Sequence, residues 1–259
     1  MSDLVRSERR GAVCLLTLDR PDALNALDST VLSALVERVE SAAADEGVRA
    51  LVLTGAGRGF AAGADIAEMG QLDPIQALAF SQLGHRAAAA LEALSVPSIA
   101  AVDGYALGGG CEMALACDWI YATRRARFGQ PEVNLGLIPG FGGTTRLVRR
   151  VGVGWAREMI LTGEPVDAEI AQRIGLVNRV FEDRDTLLEA ALAVGEGVAS
   201  KGPLAVAQAK RLMREGADAD GRVAQALEQT AFGLVFASED RREGIEAFLA
   251  KRDPKFQGR

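Results

Sequence analysis

At 259 residues, 49% of them hydrophobic, and with a formal net charge of −6, the chain has the size of a globular enzyme and enough apolar residues for a large core. The acidic balance argues against nucleic acid as a main partner; Arg146, Arg149 and Arg150 are the best candidate for a basic patch and read as a solvated helix face. A single histidine, His85, excludes an HExxH metalloprotease and any histidine-rich metal centre, and the absence of a GxSxG elbow removes the usual frame for a Ser-His-Asp triad.

The opening MSDLVRSERRGAV carries charges where a signal peptide needs an apolar run, and no later stretch of eighteen apolar residues escapes charge, so the chain reads as cytoplasmic and not membrane-spanning. Residues 4–9 and 12–18 alternate as two antiparallel strands around Arg10-Gly11, and Arg20-Pro21-Asp22 ends them. Asp28 suits the N-cap of a helix over residues 29–44, with Val31, Leu32, Leu35, Val36 and Val39 as its apolar stripe. After Gly47, residues 49–54 are almost wholly apolar, as a strand buried in a mostly parallel sheet should be.

Next comes GAGRGFAAGADIAEMG, which loosely matches a dinucleotide fingerprint at residues 57–62, but no helix opens there and Gln82 stands where an acid is needed. No Gly-Lys-Ser/Thr follows to make a phosphate loop. The segment is expected to be a backbone-lined loop beside a ligand, with Gly63-Ala64-Asp65 presenting amides and Asp65 capping a short helix. Residues 74–94 predict a long helix, with a break at Gly84 left open; His85 on it reads as structural or surface. Cys14, Cys111 and Cys117 are too few and too irregular for a disulfide framework and read as buried thiols.

The chain is organised around residues 97–146. A short apolar strand at residues 98–102 stops at Asp103-Gly104, and Gly108-Gly109-Gly110 then leads into a helix. Three glycines let the backbone approach a ligand, and a helix N-terminus offers free N–H groups and partial positive charge to an oxygen that gains negative charge. Glu112, one turn after Gly109, and Glu132 in Gln130-Pro131-Glu132 add two carboxylates. After Arg146 the pattern is helical over residues 153–161, 167–174, 186–200, 203–214, 222–236 and 240–250, with residues 176–180 as a last strand. Leu227, Ala231, Leu234 and Val235 form a stripe that suits either a core or a subunit interface, and the absence of a linker makes the last helices an appendage.

Taken in order, Asn25-Ala26-Leu27, Gly59-Phe-Ala-Ala-Gly-Ala-Asp65-Ile66, Gly104-Tyr-Ala-Leu-Gly-Gly-Gly-Cys-Glu112, Phe128-Gly-Gln-Pro-Glu132, Leu137-Ile-Pro-Gly-Phe-Gly-Gly-Thr144 and Glu243-Gly-Ile-Glu-Ala-Phe resemble the enoyl-CoA hydratase/isomerase (crotonase) family over nearly the whole chain. The resemblance implies an α/β crotonase fold. It consists of a spiral of ββα turns with two roughly perpendicular sheets over residues 1–200, and a helical region at residues 201–259 that covers the coenzyme A site and assembles trimers, commonly paired into hexamers. It also implies an oxyanion hole from the N–H groups of Ala64 and Gly109, with Glu112 and Glu132 as the hydratase pair. Coenzyme A and acyl contacts would come from Ala23, Leu24, Ala62, Asp65, Ile66, Gly108, Pro131, Gly140 and Phe141, with Lys255 and Phe256 approaching the phosphates from a neighbouring subunit. No metal or redox cofactor is implied, because coenzyme A arrives with the substrate.

Such an enzyme adds water across the C2–C3 double bond of an enoyl thioester, in fatty-acid or aromatic-acid degradation. The developing enolate is met by two amides, and losing one such donor typically costs roughly 2.7–4 kcal/mol. By resemblance Glu132 delivers a proton to C2 and Glu112 holds and activates the water. Isomerases of the family commonly carry something apolar at the Glu112-like position, so the pair favours hydration; an isomerase, or a non-catalytic RNA-binding relative, are the alternatives. Asn134 and Phe141 depart from the family pattern near the segments that shape the acyl pocket, Phe141 by filling a position that is frequently smaller.

Overall fold

Two hairpin strands, β1 (Val5–Arg10) and β2 (Val13–Leu18), open the computed structural model, which describes residues 4–259; Met1, Ser2 and Asp3 of the N-terminal segment lie outside the described residues. Helix α1 (Ser29–Ala44) keeps its expected bounds because Asp28 accepts the Val31 N–H at 2.8 Å and its apolar stripe is buried. There follow β3 (Ala50–Gly55), β4 (Gly59–Ala61), α2 (Ile66–Met69), α3 (Pro74–Ala93), β5 (Ser98–Val102), β6 (Tyr105–Leu107), α4 (Gly109–Ala116), β7 (Trp119–Thr123) and β8 (Arg127–Gly129). The remaining elements are α5 (Gly143–Thr162), β9 (Val166–Asp167), α6 (Ala168–Arg173), β10 (Arg179–Phe181), α7 (Arg184–Ala199), α8 (Pro203–Gly216), α9 (Gly221–Phe236) and α10 (Glu239–Leu249).

One sheet runs β1-β2-β3-β5-β7-β10 and the other β4-β6-β8-β9. Both are mixed: β1 lies antiparallel to β2 and β9 to β8, and the other pairings are parallel. Each turn of chain lays one strand in the large sheet and, a few residues later, one in the small sheet: β3 then β4, β5 then β6, β7 then β8. This is the spiral that the resemblance implies.

Both faces of the large sheet are covered at its inner strands β2, β3 and β5, which accounts for their being almost wholly apolar, whereas the edge strand β1 is polar and exposed. Val13, Leu15, Ala50, Val52, Ile99 and Ala101 pack with Leu187 and Ala191 of α7, and the alternate residues Cys14, Leu16, Leu51, Leu53, Ala100 and Val102 join α1, α3 and α4 in the main core. Burying each such Leu, Ile or Val contributes about 1.5–3 kcal/mol. All three cysteines are free and buried, as expected. No helix among the described residues is long and apolar enough to cross a membrane.

Several expectations need correction. Helix α3 runs through Gly84 without a break. The last strand is β10 and not residues 176–180: Leu176 and Val177 are buried and both donate to Ala171 O, closing α6 before the strand begins. Helix α5 starts ten residues earlier than residue 153 and is interrupted only at Gly152, whose φ is 79°. The arginines are not a solvated face. Arg146 pairs with Glu92 and donates to Phe141 O, and Arg150 donates to Cys117 O and Asp118 O; Arg149, paired with Asp218, alone stays exposed. Loop carbonyls lie beside this helix face and draw two of the three guanidinium groups inward.

Candidate active site

The loop after β4 is held on both sides. Leu27 N–H donates to Gly63 O at 2.8 Å and Asp65 N–H to Leu27 O at 3.0 Å, in a parallel bridge between Leu27 and Ala64. Asp65 caps α2 by accepting from Ala67 and Glu68 and pairs with Arg20 at 2.6 Å, so its carboxylate is engaged in fixing the loop. Ala64 N–H is left facing the cavity. Across from it Gly108, the N-cap of α4, has φ 48° and ψ −124°, and a Cβ there would lie 2.9 Å from Glu132 Oε1; only glycine suits both the backbone and the space. The next residue, Gly109, opens the helix, where an N–H has no intrahelical partner. A Cβ on Gly109 would sit 3.4 Å from Ala64 N, which puts the two amides side by side. Neither N–H has a hydrogen-bond partner among the described residues.

Glu112 is 1% exposed, on the first turn of α4. Its Oε1 accepts the Phe141 N–H at 2.8 Å and the Gly143 N–H at 2.6 Å, both from the loop that starts α5. That loop is itself pinned: Ser81 of α3 donates to Gly140 O at 2.6 Å and Arg146 to Phe141 O at 2.7 Å. Burial pushes the Glu112 carboxyl up from 4.5 to about 7, against the two N–H donors and with help from the nearby Glu132 charge. Glu132 sits on a 3-10 turn, Pro131–Leu135, and is also raised above its ordinary value by burial. Gln130 is fully buried beside it, and with its amide turned to suit its neighbours its nitrogen donates to both Glu132 oxygens, at 3.2 and 3.0 Å.

Ala62, Ala64, Ile66, Gly108, Gly109, Glu112, Pro131, Glu132, Gly140 and Phe141 line one cavity of about 590 Å³, so most of the expected site residues do meet. Ala23 and Leu24 stand just outside it, tied to its wall by the Ala62 N–H donating to Leu24 O and by Asn25, which is buried and donates to Ala56 O and Gly59 O. Lys255 and Phe256 lie apart from it: Phe256 packs near Gly202 and Gly244, and Lys255 N–H donates to Glu243. His85 is exposed, as a surface reading requires, yet also stands on the cavity wall.

Sequence reasoning missed Gln130 as a partner of Glu132, and Met69, Leu72, Ala77 and Phe80 as apolar lining. Ala77, Phe80, Ser81 and His85 recur at helical spacing, a signal that reveals a shared face but not what it faces. Volume does not select the site: a hollow of about 840 Å³ under α8 is larger, but its Asp118 is already paired with Lys210 at 2.8 Å.

The model of the family described as enoyl-CoA hydratase/isomerase matches residues 8–259. The chain belongs to the enoyl-CoA hydratase/isomerase family. It is 47% identical to the 2,3-dehydroadipyl-CoA hydratase of Escherichia coli (strain K12) over all of both chains, and 45% identical to the short-chain-enoyl-CoA hydratase of Clostridium acetobutylicum over 95% of this chain and 94% of that protein. The solved structure of enoyl-CoA hydratase from Bacillus anthracis superposes with a TM-score of 0.95 at 36% identity, covering 99% of this chain and 100% of that one. The spiral of two mixed sheets is therefore the crotonase fold of this family.

Proposed function

We propose that the chain is an enoyl-CoA hydratase in which Glu112 and Glu132 work as a pair under an oxyanion hole made by the N–H groups of Ala64 and Gly109. The observation that carries this reading is the meeting of two unpartnered amides and two carboxylates of raised pKa in one largely apolar cavity. The full-length relatives named above, both hydratases, support the reaction class.

The amides take the thioester oxygen and stabilise the enolate that forms as water adds. Burial raises both carboxyls above their ordinary value, so each resists ionising in this site. Glu132 delivers a proton to C2, and Glu112, fixed by two backbone donors, orients the water for C3 and takes its proton. The name of the Clostridium acetobutylicum relative, a short-chain-enoyl-CoA hydratase, supports a short acyl chain.

We infer further that residues 201–259 assemble subunits as trimers or hexamers, which would carry Lys255 and Phe256 to a neighbour's coenzyme A. Phe232, Leu234, Phe248 and Leu249 are more than 60% exposed on α9 and α10, an apolar surface of the kind that associates. Light scattering of the purified protein tests this, and a monomer at micromolar concentration would contradict it.

The test of the reaction is loss of the enoyl-thioester ultraviolet absorbance of crotonyl-CoA, with Glu112→Gln and Glu132→Gln alongside. Rapid loss abolished by either change is expected. Folded protein that leaves enoyl-CoAs untouched but shifts the double bond of a 3-enoyl-CoA would replace hydration by isomerisation.

A further inference from the structure

Arg20 lies between β2 and the 3-10 turn Pro21–Ala23, and its main chain is fixed by the buried Asn25. Arg20 N–H donates to Asn25 Oδ1 at 2.8 Å, and Asn25 N–H donates back to Arg20 O at 2.9 Å. From there one guanidinium nitrogen, Nη1, donates to Ala26 O at 3.2 Å and to Asp65 Oδ2 at 2.6 Å, and lies 3.1 Å from Asp28 Oδ2. Residues 26 and 28 flank Leu27, and residue 65 follows Ala64. The cation therefore closes the bridge between Leu27 and Ala64 from both of its strands.

That bridge decides where the Ala64 N–H points. Gly63 O and the Ala64 N–H belong to one planar trans peptide and point in opposite directions. Leu27 N–H takes Gly63 O at 2.8 Å, which turns the Ala64 N–H toward the cavity. The aim of this donor thus depends on where Leu27 sits, and Leu27 is held between two residues that share Arg20. The short helix α2 has a second, separate tie: Glu68 accepts from Ser29 Oγ at 2.5 Å and from Ser29 N–H at 2.9 Å. Loss of Arg20 would leave α2 anchored to α1 and let the amide tilt. Arg20 itself does not line the cavity, so it acts through the loop.

We propose that Arg20 is a positioning residue of the oxyanion hole, fixing the direction of the Ala64 N–H through Ala26, Asp28 and Asp65. This role rests on the hydratase reading, in which that amide takes the thioester oxygen. Removing an oxyanion donor outright costs about 10²–10³-fold in kcat, and a misplacement of about 1 Å can cost about 10²-fold.

The test compares the full chain with Arg20→Met and Arg20→Lys by crotonyl-CoA kinetics, by the infrared carbonyl band of bound butyryl-CoA labelled at the thioester carbon, and by thermal unfolding. Butyryl-CoA has no double bond to hydrate, and a carbonyl polarised by two aimed amides absorbs at lower frequency than the free thioester. In wild type the band is expected below that of the free thioester. Arg20→Met should move it back up and lower kcat by about 10–100-fold, with kcat/KM falling in step, because the interaction lost belongs to the transition state. Arg20→Lys, whose single nitrogen can meet the same oxygens, should fall between the two. If Arg20→Met does not fold, Asp65→Asn, which keeps an oxygen to cap α2 and loses the charge that Arg20 binds, carries the same comparison. A wild-type band that is shifted down and stays unmoved in the variants would overturn the proposal, even if they unfold earlier. So would a lysine variant no better than the methionine one. An unshifted wild-type band would sink the oxyanion-hole reading, and the role of Arg20 with it.

Discussion

The two carboxylates of the site are held in opposite ways. Glu112 rises from a helix in the centre of the core and is clamped by two backbone donors from a loop that Ser81 and Arg146 pin in turn. Glu132 stands on a single 3-10 turn at whose end Leu135, Leu137 and Ile138 are exposed, and among the described residues its side-chain partner is Gln130. Backbone clamps survive most substitutions and side-chain clamps do not. One carboxylate is thus fixed from the backbone and the other from a side chain, a difference that suits the proposed roles of holding a water and of reaching a carbon.

The largest effects should come from removing either carboxylate. General acid–base catalysis contributes about 10²–10⁴-fold, so Glu132→Gln and Glu112→Gln are each expected to lower kcat for crotonyl-CoA by that range. The double variant should be little worse than either single one, because the two act as a unit. Additive losses in kinetics of all three proteins would show two independent roles and break the pairing. A smaller effect is expected from Gln130→Met, which keeps length and burial but removes both donors to Glu132. Hydrogen bonds to a carboxylate favour its charged form, so their loss should raise the Glu132 pKa further. The pH profile of kcat/KM should be bell-shaped, with limbs that belong to the pair, and its alkaline limb should move to higher pH in this variant. A lowered rate with an unmoved limb would reduce Gln130 to a packing residue.

How much of this was legible in the sequence follows the same division. Long elements with a helical period were readable: α1 from its Asp28 cap and its stripe, α7 to α10 from their pattern alone. The small sheet was not, because β4, β6 and β8 are three residues long, too short to show alternation, and two of them lie inside the glycine-rich motifs. Ala64, Gly109, Glu112 and Glu132 were reached through the motif resemblance, and the chemistry of their residue types agreed. Their mutual placement depends on pairings such as Gly108 N–H to Gly129 O and Leu27 with Ala64, which join residues far apart in the chain and leave no local pattern. The arginines failed for a related reason: a charge run looks alike whether it faces water or the carbonyls of Cys117 and Asp118.

The smallest effect sharpens the comparison most, because it asks what the clamp on Glu112 does in the resting protein. Burial raises this carboxyl from 4.5 to about 7 although Phe141 and Gly143 N–H groups favour its anion, so desolvation outweighs two charge-assisted hydrogen bonds. The folded state then binds the proton more tightly than the unfolded chain. Stability is therefore lost as pH rises from about 4.5 to about 7 and is level above that. Glu112→Gln keeps an oxygen for the two donors and cannot ionise. Relative to wild type it should be more stable at pH 8 than at pH 4, by on the order of 1–3 kcal/mol. Urea unfolding of both proteins at the two pH values measures this difference of differences, in which unrelated titrations cancel. A shift of opposite sign would mean that the two backbone donors win over burial, making Glu112 a settled anion that leaves the transferable proton to Glu132 alone.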